Sequence, residues 1–296
     1  MDFLQAIILG IVQGLTEFIP ISSTAHLVFA SRLTNLYEGD PKKITTTIGI
    51  LQLGTLLAVL VYFAADIVGI TNAFLRDHWN LLTKKRRMRF SGTHGVRPIW
   101  LSEDAWLGWL IIIGSIPIGV VGLLYKDAIE GAATKNLWTI GIMMIAVAVL
   151  LTIAELVGSR RKEITEFGLL DSIIVGFAQV LALIPGASRS GSTIMGGLFA
   201  GQKREAAARF SFLLSIPAIA ASGLLQLKEA WTLLPPESVF PLIVGTIVSG
   251  VVGYLSIWFL MAFLRKNSTA IFIIYRIVVG GVILILIWQG IINPQI

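Results

Sequence analysis

The 296-residue chain contains no cysteine, and charged residues make up only 14% of it. The absence of thiols excludes disulfide bonds, thiol nucleophiles and cysteine-ligated metal sites. An ordinary globular domain is about one-quarter charged and about 45–50% apolar, whereas hydrophobic residues make up 55% of this chain. We therefore predict a single integral membrane domain over residues 1–296, with no separate soluble domain of normal size.

The chain also has few of the features of a secreted or nucleic-acid-binding protein. Its first residues carry Asp2 but no Lys or Arg, and no A-x-A site follows, so we expect no cleaved signal peptide. The net charge of +6 is compatible with nucleic acid, but basic residues in a membrane chain more commonly mark cytoplasmic loops. We expect membrane lipids as partners and no nucleic acid, and we leave open whether the chain forms a homo-oligomer.

Six apolar stretches are long enough to cross a bilayer, which takes about 17–25 residues. They lie at 48–71, 105–125, 137–157, 208–227, 239–264 and 270–291. Two further apolar stretches, 3–19 and 168–184, break at polar, proline-containing runs that short arms follow. We predict that each forms a re-entrant helical hairpin, whose loose backbone requires cover from protein or a water-filled cavity.

The two interrupted stretches resemble each other. With a shift of 166 residues, LQAIILGIVQGL (4–15) aligns with LDSIIVGFAQVL (170–181), and six of the twelve positions are identical. The polar runs that follow are PISSTAH (20–26) and PGASRSGST (185–193). This similarity predicts an internal repeat.

Basic residues indicate which ends of the spans are cytoplasmic. The loop at 72–104 carries seven Lys and Arg residues, and SRRKE (159–163), two spans later, is also basic. Three spans then separate the two hairpins, so the first enters from outside and the second from inside. The predicted fold is an all-α polytopic membrane protein with six transmembrane helices and two re-entrant helical hairpins, in an inverted-topology repeat of about 1–157 and 168–291.

The first hairpin contains candidate catalytic residues. Gln13 and Glu17 are four residues apart and share a helical face. A carboxylate in hydrocarbon is costly and is a functional candidate by default, although Glu17 is alternatively a solvated group among lipid headgroups. At least one hydroxyl residue of PISSTAH is expected to cap the returning arm. Ser23 is otherwise a catalytic candidate, and His26, within ten residues of Glu17, is a candidate or a hydrogen-bonded structural group.

The second polar run has the composition of an anion site. Gly186 lets the backbone approach a ligand, Ser188, Ser190 and Thr193 supply hydroxyls, and amides at the start of the returning helix favour an anion. Arg189 can bind a phosphate through two parallel hydrogen bonds; alternatively it is one more cytoplasmic positive charge. Carboxylate, imidazole and hydroxyl from one loop with arginine and amides from the other are suited to phosphoryl transfer.

Other embedded charges have simpler interpretations. Asp66, Glu155 and Arg276 lie within about two turns of predicted span ends and can extend toward water. Glu205 and Arg209 are spaced as an i,i+4 ion pair.

QGLTE (13–17), PISSTAH (20–26) and PGASRSGST (185–193) together resemble the motifs of bacterial undecaprenyl-pyrophosphate phosphatases of the bacitracin-resistance type. The resemblance covers essentially the whole chain, with Gln13 where some members have Glu. It implies removal of the terminal phosphate of undecaprenyl pyrophosphate, which recycles the lipid carrier of peptidoglycan synthesis. It also implies a multi-pass protein of the bacterial plasma (inner) membrane, with an active site open to the outer face.

The resemblance further implies a divalent cation, Mg²⁺ or Ca²⁺, and specific residue roles. Glu17 with Gln13 would organise the cation or the attacking group. Ser23 and His26 would be nucleophile and general base, or His26 would attack itself; direct attack by water stays open. The residues that would bind the pyrophosphate are in the second motif: Ser188, Arg189 and Thr193.

The main rival is a transporter or flippase of a polyprenyl phosphate lipid, because inverted repeats with broken helices are also a transporter architecture. A non-catalytic membrane scaffold is a third interpretation. Phosphate release from a prenyl pyrophosphate separates the enzyme from both.

Overall fold

The structure, a computed structural model, describes residues 1–83, 98, 100–125 and 136–295. These residues form α-helices joined by short loops and 3-10 turns, without a β-sheet. The α-helices are α1 (Phe3–Phe18), α2 (Ser23–Leu33), α3 (Pro41–Tyr62), α4 (Ala64–Leu82), α5 (Glu103–Leu124), α6 (Leu137–Val157), α7 (Leu169–Val180), α8 (Arg189–Phe199), α9 (Arg204–Leu233), α10 (Val239–Leu264) and α11 (Ala270–Trp288).

Six of the described helices are long and apolar enough to cross a membrane: α3, α5, α6, α9, α10 and α11. Many large apolar side chains on these helices face outward, as expected where lipid rather than water surrounds the protein. The prediction of an all-helical, multi-pass membrane protein is confirmed at this level. The predicted loop 72–104 begins too early, because α4 continues to Leu82. Six of the seven basic residues in this predicted loop lie within 84–97, outside the described residues.

The predicted span 48–71 was wrong at both ends. Helix α3 begins earlier because Asp40 caps it, accepting hydrogen bonds from the amides of Lys42 (3.0 Å) and Lys43 (3.3 Å). It ends at Tyr62, where Phe63 leaves the helical path and packs on Phe212, with ring centroids 6.1 Å apart. No glycine or proline marks this break, so the tertiary contact sets it.

The polar loops after α1 and α7 share an uncommon backbone geometry. Ser22 and Ser188 each cap the returning helix, α2 or α8, and have φ values of 77° and 68°. Such values are rare outside glycine and are costly to maintain. The two serines are 166 residues apart, the same shift as in the sequence similarity. The prediction that one hydroxyl residue of PISSTAH caps the returning arm is confirmed.

The ion pairs at one end of the bundle join different helices. Arg209 donates to both carboxylate oxygens of Asp66, at 3.1 and 2.6 Å, and Glu205 accepts from Arg265 at 2.7 Å. The expected pairing of Glu205 with Arg209 was wrong, because an i,i+4 pair contributes only about 0.2–0.5 kcal/mol and a two-point arginine–carboxylate contact is stronger. Glu155 accepts from Arg204 rather than extending into water.

Candidate active site

The two polar loops meet through a buried ion pair. The guanidinium of Arg189, at the first position of α8, donates to Glu17 near the end of α1. The Glu17 side chain is 5% exposed and that of Arg189 is 15% exposed. A charge buried without a partner is strongly destabilising, so each group requires the other in this structure. Glu17 is therefore not a headgroup-solvated residue, and Arg189 is not a surface charge.

Gln13 fixes the orientation of the Glu17 carboxylate. Its Nε2 donates to Oε2 of Glu17 at 3.0 Å and lies 3.5 Å from Oγ1 of Thr55 on α3. The Gln13 side chain is fully buried, and its Oε1 has no hydrogen-bond partner in the described part of the chain. A buried amide oxygen without a donor is costly, so Oε1 of Gln13 is an unsatisfied acceptor within the site.

Hydroxyl groups make a second connection between the loops. The Ser190 hydroxyl donates to the carbonyl oxygen of Ile19 at 3.4 Å and lies 3.2 Å from Oγ of Ser188. The Ser188 hydroxyl accepts from the Gly191 amide at 3.2 Å, as a helix cap. The N-terminus of α8, which favours an anion, therefore faces the end of α1.

Arg276 of α11 joins both loops from behind, a role that the sequence analysis missed. Its fully buried guanidinium donates to the carbonyl oxygens of Pro20 (3.3 Å), Gly186 (3.0 Å) and Ala187 (2.9 Å), and to Met144 of α6 (3.1 Å). The interpretation that Arg276 extends toward a span end was wrong, because these loop carbonyls lack helical partners and need a donor. Its position inside an apolar helix was a usable signal.

His26 forms hydrogen bonds with residues other than Glu17 and Arg189. Its Nδ1 lies 2.7 Å from the carbonyl oxygen of Ser22, and its Nε2 lies 2.6 Å from the hydroxyl of Tyr275. Ser23, the first residue of α2, is partly buried. Among the described residues, no hydrogen bond joins His26 to Ser23 or Glu17.

Gly186 and Thr193 shape the second loop. Gly186 has φ +93°, and a Cβ placed there would lie 2.7 Å from Cα of Ile140 on α6, so the loop needs glycine. Thr193 is fully buried; its hydroxyl donates to the Arg189 carbonyl at 2.8 Å and contacts the hydroxyl of Ser211 on α9. Both residues hold the backbone that presents Arg189.

Comparison with known proteins identifies the family. A family model described as "Bacitracin resistance protein BacA" matches residues 6–282. The chain belongs to this family. Two relatives named undecaprenyl-diphosphatase cover nearly the whole chain. The one from Syntrophobacter fumaroxidans is 46% identical over 290 residues, 98% of this chain and 99% of the relative. The one from Mycolicibacterium gilvum is 44% identical over 295 residues, 99% of each.

The resemblance stated from the motifs is thus confirmed: the BacA family is the one that the sequence pattern indicated. A third relative, from Chlorobium chlorochromatii, carries the same printed name and is 46% identical over 303 residues, 99% of this chain and all of the relative.

The donors in this BacA-family site fit a divalent cation that is shared with a substrate. Glu17 supplies a carboxylate, and Oε1 of Gln13 is an unpartnered oxygen. The described residues contain no group of three or more His, Cys, Asp or Glu that could hold a metal. Mg²⁺ commonly binds one or two carboxylates together with substrate phosphates and water. The residues therefore suit a cation whose remaining ligands are phosphate oxygens.

Proposed function

We propose that the chain is a membrane-embedded phosphatase that hydrolyses undecaprenyl pyrophosphate to undecaprenyl phosphate and inorganic phosphate. The observation that carries this proposal is the contact between Glu17 and Arg189 across the two loops, in a chain that is 44–46% identical over nearly its full length to proteins named undecaprenyl-diphosphatase. A site within the membrane suits an insoluble prenyl substrate. Its product is the lipid carrier of cell-wall polymers.

Substrate binding exchanges the partner of Arg189. In the free protein the guanidinium bonds to Glu17, so an incoming phosphate takes over this donor and releases the carboxylate. The amides at the start of α8 and the hydroxyls of Ser188 and Ser190 add donors for the same phosphate. Thr193 and Gly186 maintain the loop, and Arg276 ties it to the first loop.

Arg189 also stabilises the charge that develops during transfer. The attacking oxygen bonds to the terminal phosphorus while the bond from that phosphorus to the bridging oxygen breaks, and undecaprenyl phosphate leaves with the electron pair. Fixed cationic donors aimed at the developing charge stabilise such a transition state strongly. Glu17 with Gln13 would hold a divalent cation, which when bound neutralises further phosphate charge.

The attacking group is water or the Ser23 hydroxyl, with His26 in proton transfer. If Ser23 attacks, water then displaces the phosphoryl group from the serine oxygen, which releases inorganic phosphate and restores the hydroxyl. The Nδ1 of His26 donates to a backbone carbonyl, which fixes Nε2 as the basic nitrogen. Direct attack by His26 would require Nε2 to leave Tyr275, its partner at 2.6 Å. Proton uptake by His26 uses the same lone pair, so the Tyr275 hydroxyl has to release Nε2 in this role too; with His26 as a base, however, the phenol oxygen can accept from Nε2–H afterwards.

The two halves form an inverted-topology repeat of about 1–157 and 168–291, and their hairpins re-enter the membrane from opposite faces of the bacterial plasma membrane. Helix packing supports this. A Cβ on Gly176 of α7 would lie 2.6 Å from the Gly114 carbonyl oxygen of α5, and Gly10 of α1 approaches Gly245 of α10 equally closely. Each hairpin thus packs on a helix of the other half, as two-fold related repeats require.

Purified protein in detergent is expected to release inorganic phosphate from a prenyl pyrophosphate when Mg²⁺ or Ca²⁺ is added, and a chelator should abolish the release. Phosphate is measured directly, with the Glu17→Ala variant, prepared identically, as the control for contaminating phosphatases. Absence of release under any cation, combined with lipid flux in liposomes, would support the transporter instead.

The proposed orientation of the protein in the membrane predicts that two cysteines, introduced one at a time into this cysteine-free chain, are labelled differently. Thr232 lies near the end of α9 that we expect to face outside, and Thr83 caps the end of α4 before the basic loop. Both residues are exposed. In intact cells, Thr232→Cys is expected to react with an impermeant maleimide, whereas Thr83→Cys should react only after the membrane is opened. The reverse pattern would place the active site toward the cytoplasm.

A further inference from the structure

The hydrogen bonds of His26 determine which of its ring nitrogens carries the proton. A carbonyl oxygen only accepts, so Nδ1, 2.7 Å from the Ser22 carbonyl, is the nitrogen with the hydrogen. In the neutral ring, Nε2 then has a free lone pair. The hydroxyl of Tyr275, 2.6 Å away, donates to it.

Tyr275 holds the imidazole through its ring as well as its hydroxyl. The two rings are stacked, with centroids 5.6 Å apart and planes inclined by 16°. Tyr275 directly precedes Arg276, which bonds to the carbonyls of both loops. The same turn of α11 therefore fixes the loop backbones and the orientation of His26.

A phenol hydroxyl suits both protonation states of its neighbour. It donates to the lone pair of neutral Nε2; rotation of the O–H bond releases this lone pair, Nε2 takes up a proton, and the phenol oxygen then accepts from Nε2–H. No bond within Tyr275 breaks during this exchange. Phenylalanine would preserve the stacked ring and offer Nε2 neither interaction.

We propose that Tyr275 is the positioning residue for His26: its hydroxyl selects the Nδ1–H tautomer, aligns the ring and remains the partner of Nε2 when the proton arrives. This inference rests on the proposed function, because it gives Tyr275 a role in turnover only through His26.

Tyr275→Phe is expected to lower kcat for prenyl pyrophosphate hydrolysis about tenfold, less than removal of the acid–base group itself, while KM changes less than about twofold. The matched control is Tyr254→Phe, because Tyr254 of α10 has nearly the same exposure, 41% against 39%, and packs on Tyr62. Its kcat should stay within about twofold of the parent. Equal kcat in both variants would overturn the proposal.

A double variant tests whether Tyr275 acts through His26. In a His26→Ala background, adding Tyr275→Phe is expected to cause no further loss of kcat, because residues that act as one unit are non-additive. A further tenfold loss would mean that Tyr275 acts on the substrate directly, and the positioning role would be rejected.

Nitrogen-15 NMR of histidine-labelled protein detects the hydrogen bond between His26 and Tyr275 without measuring turnover. The chain contains three histidines, and His26→Ala identifies the signals of His26. The parent is expected to show protonated Nδ1 and hydrogen-bonded, unprotonated Nε2, and Tyr275→Phe should shift the Nε2 resonance toward that of a free lone pair. An unchanged resonance would refute the contact. Lack of phosphate release by the parent would instead refute the proposed function, whereas the NMR result on the contact between Tyr275 and His26 would still stand.

Discussion

Arg189→Ala is expected to lower kcat/KM for prenyl pyrophosphate by at least about two orders of magnitude, the loss typical of removing one charge-stabilising donor. Arg189 is the cation that the structure places at the N-terminus of α8, against Glu17. The substitution removes the donor for the phosphate and leaves Glu17 buried without its partner. Steady-state hydrolysis per folded molecule, with fold checked by gel filtration and melting temperature, measures the effect.

Arg189→Lys separates charge from geometry. Lysine retains the positive charge but cannot form two parallel hydrogen bonds to a phosphate, so we expect a loss of about tenfold. The matched control is Arg209→Ala, which also removes an arginine–carboxylate contact between two helices, here with Asp66. It should leave kcat/KM within about threefold. Comparable losses in Arg209→Ala and Arg189→Ala would show that Arg189 acts only in stability.

Glu17→Ala extends this prediction to the carboxylate. Alone it is expected to lower kcat/KM by at least about two orders of magnitude. In combination with Arg189→Ala, the loss should be close to that of the worse single variant, because the two groups exchange partners during one binding step. Fully additive losses would mean that Glu17 and Arg189 contribute independently. That result would contradict the proposal that substrate phosphate replaces Glu17 as the partner of Arg189.

Much of the site was predictable because local chemistry determines it. A proline-containing polar run inside an apolar stretch favours the end of a helix, and Ser22 and Ser188 are residues that start the next one. The predicted topology has the two broken helices meeting, and the structure brings Glu17 and Arg189 into contact, although the sequence could not give the distance between the loops. The i,i+4 spacing correctly placed Gln13 beside Glu17.

The remaining features depend on contacts between distant parts of the chain. The break at Phe63 follows packing on Phe212, and nothing in the local sequence marks it. Tyr275 and Arg276 lie about 250 residues from the first loop; an arginine inside an apolar span is a functional candidate, but the local sequence does not indicate which groups it contacts. The fold brings the Arg276 guanidinium to the carbonyl oxygens of Pro20 and Gly186 in the two loops.

Arg276→Met is expected to lower both stability and activity, because it removes the donor shared by the two loops. The substitution leaves the carbonyls of Pro20, Gly186 and Ala187 without this partner, and each buried unsatisfied group costs about 1–3 kcal/mol. We expect the free energy of unfolding to fall by roughly 3 kcal/mol or more. The kcat/KM should fall by at least about two orders of magnitude, since small displacements at a reacting centre cost about a hundredfold.

Arg276→Lys shows whether the number of hydrogen bonds matters beyond the charge. A lysine ammonium has three donors on a flexible stem, whereas the guanidinium has a rigid fork of five, and Arg276 uses its fork on α6 and on both loops. We therefore expect Arg276→Lys to recover most of the stability but less than about one-tenth of the kcat/KM. Arg265→Met is the control, since Arg265 is exposed and pairs only at the surface with Glu205. Full activity in Arg276→Lys would mean that one buried positive charge, rather than the tie between the loops, is what the site requires.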